Sequence, residues 1–294
     1  MIQAIEIRQL SKFYGRSRGI EEVTLQVEEG DFYGFIGPNG AGKSTTIRIL
    51  LNLIFPTSGE ARIFGLDAVK DSKRIRQDLG YVPSDANLYE GMTVMEFLRF
   101  GSGFYGRDKY LERIRELANM LDLDTGRKIQ ELSTGNKKKV SIIQALVHRP
   151  RLLILDEPTT GLDPLIQSRL FGLLLEENKR GVTVFFSSHV LSEVQHLCQK
   201  VAIVREGRVI RSGSIADLRE KQVKKVKLLF GEASLGEKLT VPGIEGITTG
   251  KEGQTEFFFS GEINQLLGQL SGMNIKELNI EDLPLDEIFL HYYR

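Results

Sequence analysis

"GPNGAGKST", Gly37 to Thr45, decides how the rest of the chain is read. Gly37, Gly42, Lys43 and Ser44 stand at the fixed positions of the G-x-x-x-x-G-K-[ST] phosphate loop. Glycines let backbone N–H groups curl around phosphate oxygens, and Pro38, Asn39, Gly40 and Ala41 fill out the curl. A helix opening after Gly42, with Thr45 in its first turn, adds the positive end of its dipole. Lys43 is expected to reach the β- and γ-phosphates of a bound nucleotide, and Ser44 to offer its hydroxyl to Mg²⁺.

The context suits the motif. An apolar run at 31–36 reads as the strand before the loop, and a helix is expected over 44–55. Upstream, 4–7 and 22–27 alternate apolar and polar side chains, as half-buried strands do. Downstream, 61–64 reads as a strand and 72–122 as helices, the clearest over 94–100 and 109–121. A helix over 137–148 is stopped by Pro150. Strands at 152–155, 182–186 and 201–205 alternate with helices at 164–180 and 190–198. Apolar strands alternating with helices imply a parallel sheet covered on both faces. The expected fold class is therefore α/β: a P-loop NTPase with a mostly parallel core and an N-terminal antiparallel β subdomain. A helical insert at about 81–150 and a small C-terminal α+β domain complete it. The domain boundary is drawn between 1–218 and 219–294, where composition changes. In the second domain, strands ending at 230 and covering 255–260 and 275–280 flank a helix at 263–270.

"LLILDEP", Leu152 to Pro158, is four apolar residues ending in a carboxylate pair. That puts Asp156 at the C-terminal end of a buried strand, the edge where such sheets bind ligands. Asp156 can then hold Mg²⁺ through water. Glu157 follows directly and could take a proton from an attacking water. An acidic pair by itself also suits a helix cap; the phosphate loop favours the metal and base reading.

"LSTGNKKKV", Leu132 to Val140, raises a different question. With the helix beginning at Lys137, three lysines oppose the dipole at its positive end. Either the helix start is simply solvated, or an anion docks there.

Bulk composition removes several classes. Lys+Arg and Asp+Glu are both 39 in 294 residues, so no net basic field draws nucleic acid or an anionic membrane. A single cysteine, Cys198, rules out an intrachain disulfide and fits a reducing compartment. The apolar-rich stretch 47–55 is far short of the ~20 residues that span a bilayer. Any work at a membrane must go through another chain, from the side.

With these motifs in order, residues up to about Ala216 resemble the ATP-binding subunit of an ABC (ATP-binding cassette) transporter. The resemblance implies further roles. "SKFYG" is similar to the segment whose aromatic stacks on adenine, which gives Tyr14 that part. "LSTGNKKKV" resembles the signature LSGGQ followed by two residues and a basic one. Ser133 and Gly135 are kept, while Thr134 and Asn136 replace glycine and glutamine. "GLDP" from Gly161 resembles the D-loop, with Asp163 as its carboxylate, and "SSHV" makes His189 the switch histidine. "GYVPSDANLYEGMTVMEFLRF" from Gly80 is similar to the Q-loop region that couples ATP to the membrane subunit, but Ser84 stands where glutamine or glutamate is usual. "IEDLPLDEIFLHYY" from Ile280 resembles the tail of ATPases paired with ABC-2-type export permeases.

The implied protein is an ATPase with cofactors ATP and Mg²⁺, peripheral on the cytoplasmic face of the membrane. Its implied partners are a transmembrane permease, with export the implied direction, and a second nucleotide-binding domain arranged head to tail. In that arrangement Ser133, Gly135 and the lysine field would meet the partner's γ-phosphate, the anion sought above. Nucleic acid is not an expected partner. Two rivals are a chromosome-maintenance ATPase and a translation-associated ABC protein. The first needs a long heptad insert, which 46–131 lacks, and the second carries two cassettes per chain. A GTPase would need an Asn-Lys-x-Asp motif, but Asn136-Lys137 is followed by Lys138 and Lys139.

Overall fold

The computed structural model describes residues 3–106, 109–216, 224–230, 241–250 and 254–282. They form two compact units, Met1–Ile215 and Ala216–Arg294.

In chain order the first unit contains β1 (Gln3–Tyr14), β2 (Ser17–Glu28), β3 (Phe32–Ile36), α1 (Lys43–Leu50), β4 (Ser58–Ile63), β5 (Leu66–Asp67), α2 (Ser72–Ile75) and β6 (Leu79–Val82). It continues with α3 (Val94–Ser102), α4 (Leu111–Met120), α5 (Thr134–Leu146), β7 (Leu152–Asp156), α6 (Pro164–Lys179), β8 (Thr183–Ser188), α7 (Leu191–Leu197), β9 (Lys200–Arg205) and β10 (Arg208–Ser214). The antiparallel sheet has the order β2-β1-β4-β5, and the core sheet the order β10-β9-β3-β8-β7-β6. Strands β9, β3, β8, β7 and β6 run parallel; β10 closes the edge as an antiparallel hairpin on β9. Phe35 and Phe185, with ring centroids 5.2 Å apart, lie in the core with Ile47, Ile49, Leu152 and Ile154.

Register brings the strand ends to one line. Ile36 pairs with Ser188, Asp156 with Ser187, and Val82 with Leu155. The phosphate loop after β3, Glu157 after β7, His189 after β8 and Ser84 after β6 therefore leave the same edge of the sheet, where ligands of such folds bind.

Helix boundaries correct the sequence reading in three places. Residues 72–122 are not all helical, because β6 lies within them as the edge strand of the core sheet. It is four residues long and paired only to β7, too short to print a period. The helix expected over 44–55 stops at Leu50 because Asn52 takes a left-handed φ of 52°. Leu53 N–H then donates to Arg48 O at 2.8 Å and Asn52 N–H to Ile49 O at 2.9 Å. Those two bonds are a Schellman closure, which satisfies the last carbonyls.

The third correction bears on the lysines. Helix α5 starts at Thr134, not Lys137, because the Ser133 hydroxyl caps it by accepting the Asn136 N–H at 3.3 Å. Its first turn, Thr134-Gly135-Asn136, carries no charge, and the lysines fall in the turn after it. Strand β10 had no counterpart in the sequence reading. Helices α3 and α4 pack on α5 and form the helical layer. A reciprocal cap starts α3: Thr93 accepts from Glu96 N–H at 3.2 Å, and Glu96 accepts from Thr93 N–H at 2.8 Å.

The second unit contains β11 (Lys224–Phe230), β12 (Ile244–Thr249), β13 (Gln254–Phe259), α8 (Ile263–Leu270) and β14 (Ile275–Asp282). Its antiparallel sheet has the order β12-β13-β11-β14. Side chains alternate in burial along β11 and β13, and Val226, Leu228, Phe257 and Phe259 share a core with Leu266 and Leu270 of α8. Strand β12 was also missing from the sequence reading. The quoted tail from Ile280 lies outside the described residues beyond Asp282.

Candidate nucleotide site

The edge where the strand ends align opens into a cleft of about 360 Å³. Tyr14, Asn39, Gly40, Gly42, Lys43, Ser44, Thr45 and Glu157 line it, with Arg18 and Gly19. Eight residues singled out from sequence thus meet in one place, although Tyr14 comes from β1 and Glu157 follows β7. Gly42 has φ 104°, and a Cβ there would lie 2.6 Å from Ile20 Cγ2, so glycine is required at the loop-to-helix junction. Ala41 N–H donates to Pro38 O at 3.1 Å and Gly37 N–H to Ser188 O at 3.3 Å, which ties the loop to β8. Tyr14 is 48% exposed at the rim, with the Lys12 ammonium 5.3 Å from its ring centroid.

Lys43 is buried. Its ammonium donates to Gly37 O at 2.7 Å and Pro38 O at 3.1 Å, and sits 3.2 Å from Glu157 Oε1. Glu157 Oε2 is 3.2 Å from His189 Nδ1. The carboxylate is therefore bracketed by a lysine and an imidazole, a geometry suited to holding a base next to a phosphate. Glu157 has φ 47°, sparsely populated for a side chain of this size, and such strain persists only where its surroundings hold it. Here Ser187 holds the peptide: its carbonyl and hydroxyl accept the Glu157 N–H at 3.2 and 3.3 Å.

Asp156 is 1% exposed, and its Oδ1 accepts the Ser187 hydroxyl at 2.7 Å. Burial, and after it the charge of the same carboxylate, pushes the Tyr81 phenol up to about 12. A hydroxyl at Ser44 and a carboxylate at Asp156, both hard oxygen donors beside a phosphate loop, fit Mg²⁺. That ion takes one or two protein oxygens plus substrate phosphates rather than a full protein cage. Among the described residues no cluster of three or more His, Cys, Asp or Glu side chains could hold a metal alone.

The remaining residues fall outside the cleft. Ser133 and Thr134 are exposed at the start of α5. Gly135 sits against the loop before α6, where a Cβ would come 2.6 Å from Gly161 O. Asn136 is half-buried, its N–H given to the Ser133 cap. The Asp163 carboxylate caps α6 by accepting the Ile166 N–H at 3.0 Å. Ser84 is half-buried, and its carbonyl, not its side chain, makes the close contact: it accepts the Lys138 ammonium at 2.6 Å.

The lysines correct the expectation of a solvated or anion-facing cluster. Lys137 pairs with Glu90 at 3.1 Å. Lys138 is 2% exposed and donates to Pro83 O, Ser84 O and Glu157 O; burial lowers its pKa. Lys139, also buried, donates to Asp122 O at 3.2 Å. Ser187 and Lys138 are the two site neighbours that sequence reasoning missed. The serine was legible within "SSHV", since a strand partner of Asp156 must face it; Lys138 carried no signal in its charge.

A family model described as ABC transporter matches residues 20–160. The bacitracin transport ATP-binding protein BcrA of Bacillus licheniformis is 38% identical over 229 residues, 76% of this chain and 74% of that protein. The chain belongs to the ATP-binding subunits of ABC transporters. The Nod factor export ATP-binding protein I of Cupriavidus metallidurans is 32% identical over 99% of this chain and 97% of its own length. A solved "ATP binding subunit of ABC transporter" superposes with a TM-score of 0.70 at 33% identity, covering 74% of this chain and 92% of that one. A "dimeric structure of a post-hydrolysis state of the ATP-binding cassette MJ0796 bound to ADP and Pi" superposes at 0.67 with 26% identity, over 72% and 98%.

As an ABC transporter ATP-binding subunit, the chain is an ATPase that energises transport, and the translation and chromosome-maintenance rivals are set aside. ABC ATP-binding subunits dimerise and work with transmembrane permeases. Among the described residues of this one, no helix is long and apolar enough to cross a membrane.

Proposed function

We propose that this ABC subunit hydrolyses ATP in the cleft between Tyr14 and Glu157, to drive export through a separate permease at the cytoplasmic face of the membrane. The observation that carries the reading is the Lys43–Glu157–His189 contact chain at the aligned strand ends. Tyr14 stacks on adenine, and residues 37–45 wrap the phosphates. Ser44 and Asp156 would hold Mg²⁺, which neutralises phosphate charge when bound. On ATP binding Lys43 exchanges Glu157 for the β- and γ-phosphates. The freed Glu157 carboxylate accepts the proton of the attacking water, and His189 orients it and meets the γ-phosphate.

Ser133 and Thr134, exposed and outside their own chain's cleft, act on the nucleotide of a second cassette, together with Gly135, Asn136 and the Asp163 loop. The close approach of Gly135 to Gly161 supports one continuous surface built from both motifs. Residues 219–294 form an accessory domain and 1–218 the cassette.

The permease is proposed to dock on a groove of about 460 Å³ within the first unit, lined by Lys73, Arg76, Tyr89, Phe97, Phe100 and Phe104 among others. Tyr89, Phe100 and Phe104 are 61%, 48% and 77% exposed, and their rings contact in an edge-on chain. An apolar aromatic patch flanked by two cations suits an amphipathic helix with an acidic edge. Export, rather than uptake, rests on the relative named for Nod factor export.

The test is Glu157→Gln. It should keep ATP affinity and lower turnover by about 10²–10⁴, the usual cost of losing a general base. Wild-type turnover in the variant would refute the assignment.

A further inference from the structure

Lys138 is the buried charge that the proposed mechanism does not use. It lies on α5 about one turn beyond Ser133, yet its side chain runs inward to the strand ends. Three donors of the ammonium meet three backbone acceptors: Pro83 O at 2.9 Å, Ser84 O at 2.6 Å and Glu157 O at 3.1 Å. A lysine ammonium has three N–H groups, so the set is saturated. Asp156, Asp85 and Glu157 supply the surrounding negative charge. A cation at 2% exposure is costly unless paired in this way.

We propose that Lys138 is a positioning residue: its ammonium fastens the Ser84 loop and the backbone of Glu157 to the helix that carries Ser133 and Thr134. The inference rests on the reading of Glu157 as base given above. Glu157 is held in a left-handed conformation from its N–H side by Ser187 and from its C=O side by Lys138. Ser84 is held by its carbonyl, which asks nothing of its side chain. A glutamine-length side chain is therefore not required to bind this loop to the site. Because α5 bears the exposed Ser133 cap at one end and Lys138 in the next turn, a displacement of its N-terminus is passed to both loops at once. A contact made by another cassette at Ser133 thus reaches the Glu157 of the same chain through one side chain. Lys139, which ties α5 to Asp122, serves the helical layer only.

The experiment uses the full chain and three readouts: turnover, affinity for a fluorescent ATP analogue, and amide hydrogen exchange. Lys138→Met keeps the stem and removes the ammonium from all three carbonyls, leaving Glu157 O only the Thr160 N–H at 3.4 Å. It is expected to bind the analogue within about twofold of wild type and to turn over at least about tenfold more slowly, as misplaced catalytic groups do. Exchange should quicken at residues 84–90 and 158–162 and stay unchanged at 140–147. Lys138→Arg, which restores a cation with several donors, should recover turnover to within about threefold. If Lys138→Met does not accumulate folded, Lys138→Gln carries the same three readouts. Wild-type turnover in Lys138→Met, exchange rising along all of α5, or an Arg variant no better than Met would each overturn the proposal. An active Glu157→Gln protein would instead remove the base assignment, and the exchange at 84–90 would still decide whether Lys138 holds that loop.

Discussion

Gly135→Ala should break catalysis without disturbing nucleotide binding. A Cβ at this position would lie 2.6 Å from Gly161 O, where ordinary contact begins at 3.4 Å, a shortfall of about 0.8 Å. The obstacle is backbone, so no rotamer change relieves it. Two effects compete. Alanine in a helix is favoured over glycine by at most about 1 kcal/mol, and less in a first turn. Overpacking a tight contact costs about 1–3 kcal/mol. The contact wins, and the cheapest relief is for α5 or the loop before α6 to move by a good part of the missing distance. Both carry residues proposed to face another cassette's nucleotide. Displacement of about 1 Å in a reacting constellation costs up to about 10² in rate, so turnover should fall roughly tenfold to a hundredfold. Affinity for an ATP analogue should hold, because Gly135 does not line the cleft of its own chain. Gly172→Ala on α6 is the control: a Cβ there meets nothing within 4 Å, and the variant should match wild type. Steady-state turnover at saturating ATP, beside analogue titration, separates the two quantities. A Gly135→Ala protein with wild-type turnover would show that the approach of these two segments has no catalytic consequence.

Tyr89→Ala combined with Phe104→Ala should leave ATP turnover of the isolated chain intact and abolish transport in membranes holding the permease; normal transport would move the docking groove elsewhere. Burial pushes His148, stacked on Tyr105 at 3.8 Å, down to about 4 from an ordinary 6.5. The unfolded chain then takes up the proton first, so the stability tied to the neutral ring is complete above pH 6.5 and is lost as pH falls towards 4. Urea midpoints at pH 7 and pH 5 should differ less in His148→Phe than in wild type, and an equal difference would sink the idea.

The phosphate loop, the Asp156 strand and the order of motifs were legible because each is local. A glycine pattern needs only its own backbone, and four apolar residues in a row need only a sheet. The edge strand β6 was not legible, since four residues paired on one side leave no period to read. Yet β6, through the pairing of Val82 with Leu155, is what brings Pro83 and Ser84, one and two residues further on, to the edge where the cleft lies. That Tyr14 and the phosphate loop line one cleft was legible only through resemblance, because nothing in "SKFYG" places the end of β1 there. The left-handed stop at Asn52 was readable in principle: asparagine is among the few residues that take that conformation, and Pro56 follows closely.

The three lysines show where charge reasoning from sequence needs geometry. Consecutive residues on a helix are turned by about 100°, so three in a row fan across roughly 200°. They could not converge on a single anion. Each instead found its own acceptor in a different direction: Glu90 on the loop before α3, the Pro83–Ser84 and Glu157 carbonyls beneath α5, and the Asp122 carbonyl at the end of α4. Starting the helix at Thr134, just after its serine cap and three residues earlier, removes the supposed conflict with the dipole, because that field fades within the first turn. What remains for an incoming phosphate at this end is the Ser133 hydroxyl and the N–H groups of Thr134 and Gly135, since the Asn136 N–H is given to the cap. That leaves the lysines to set the position of the helix and the helix end for the proposed contact with another cassette's nucleotide, a division of labour that Lys138→Met and Gly135→Ala probe from opposite sides.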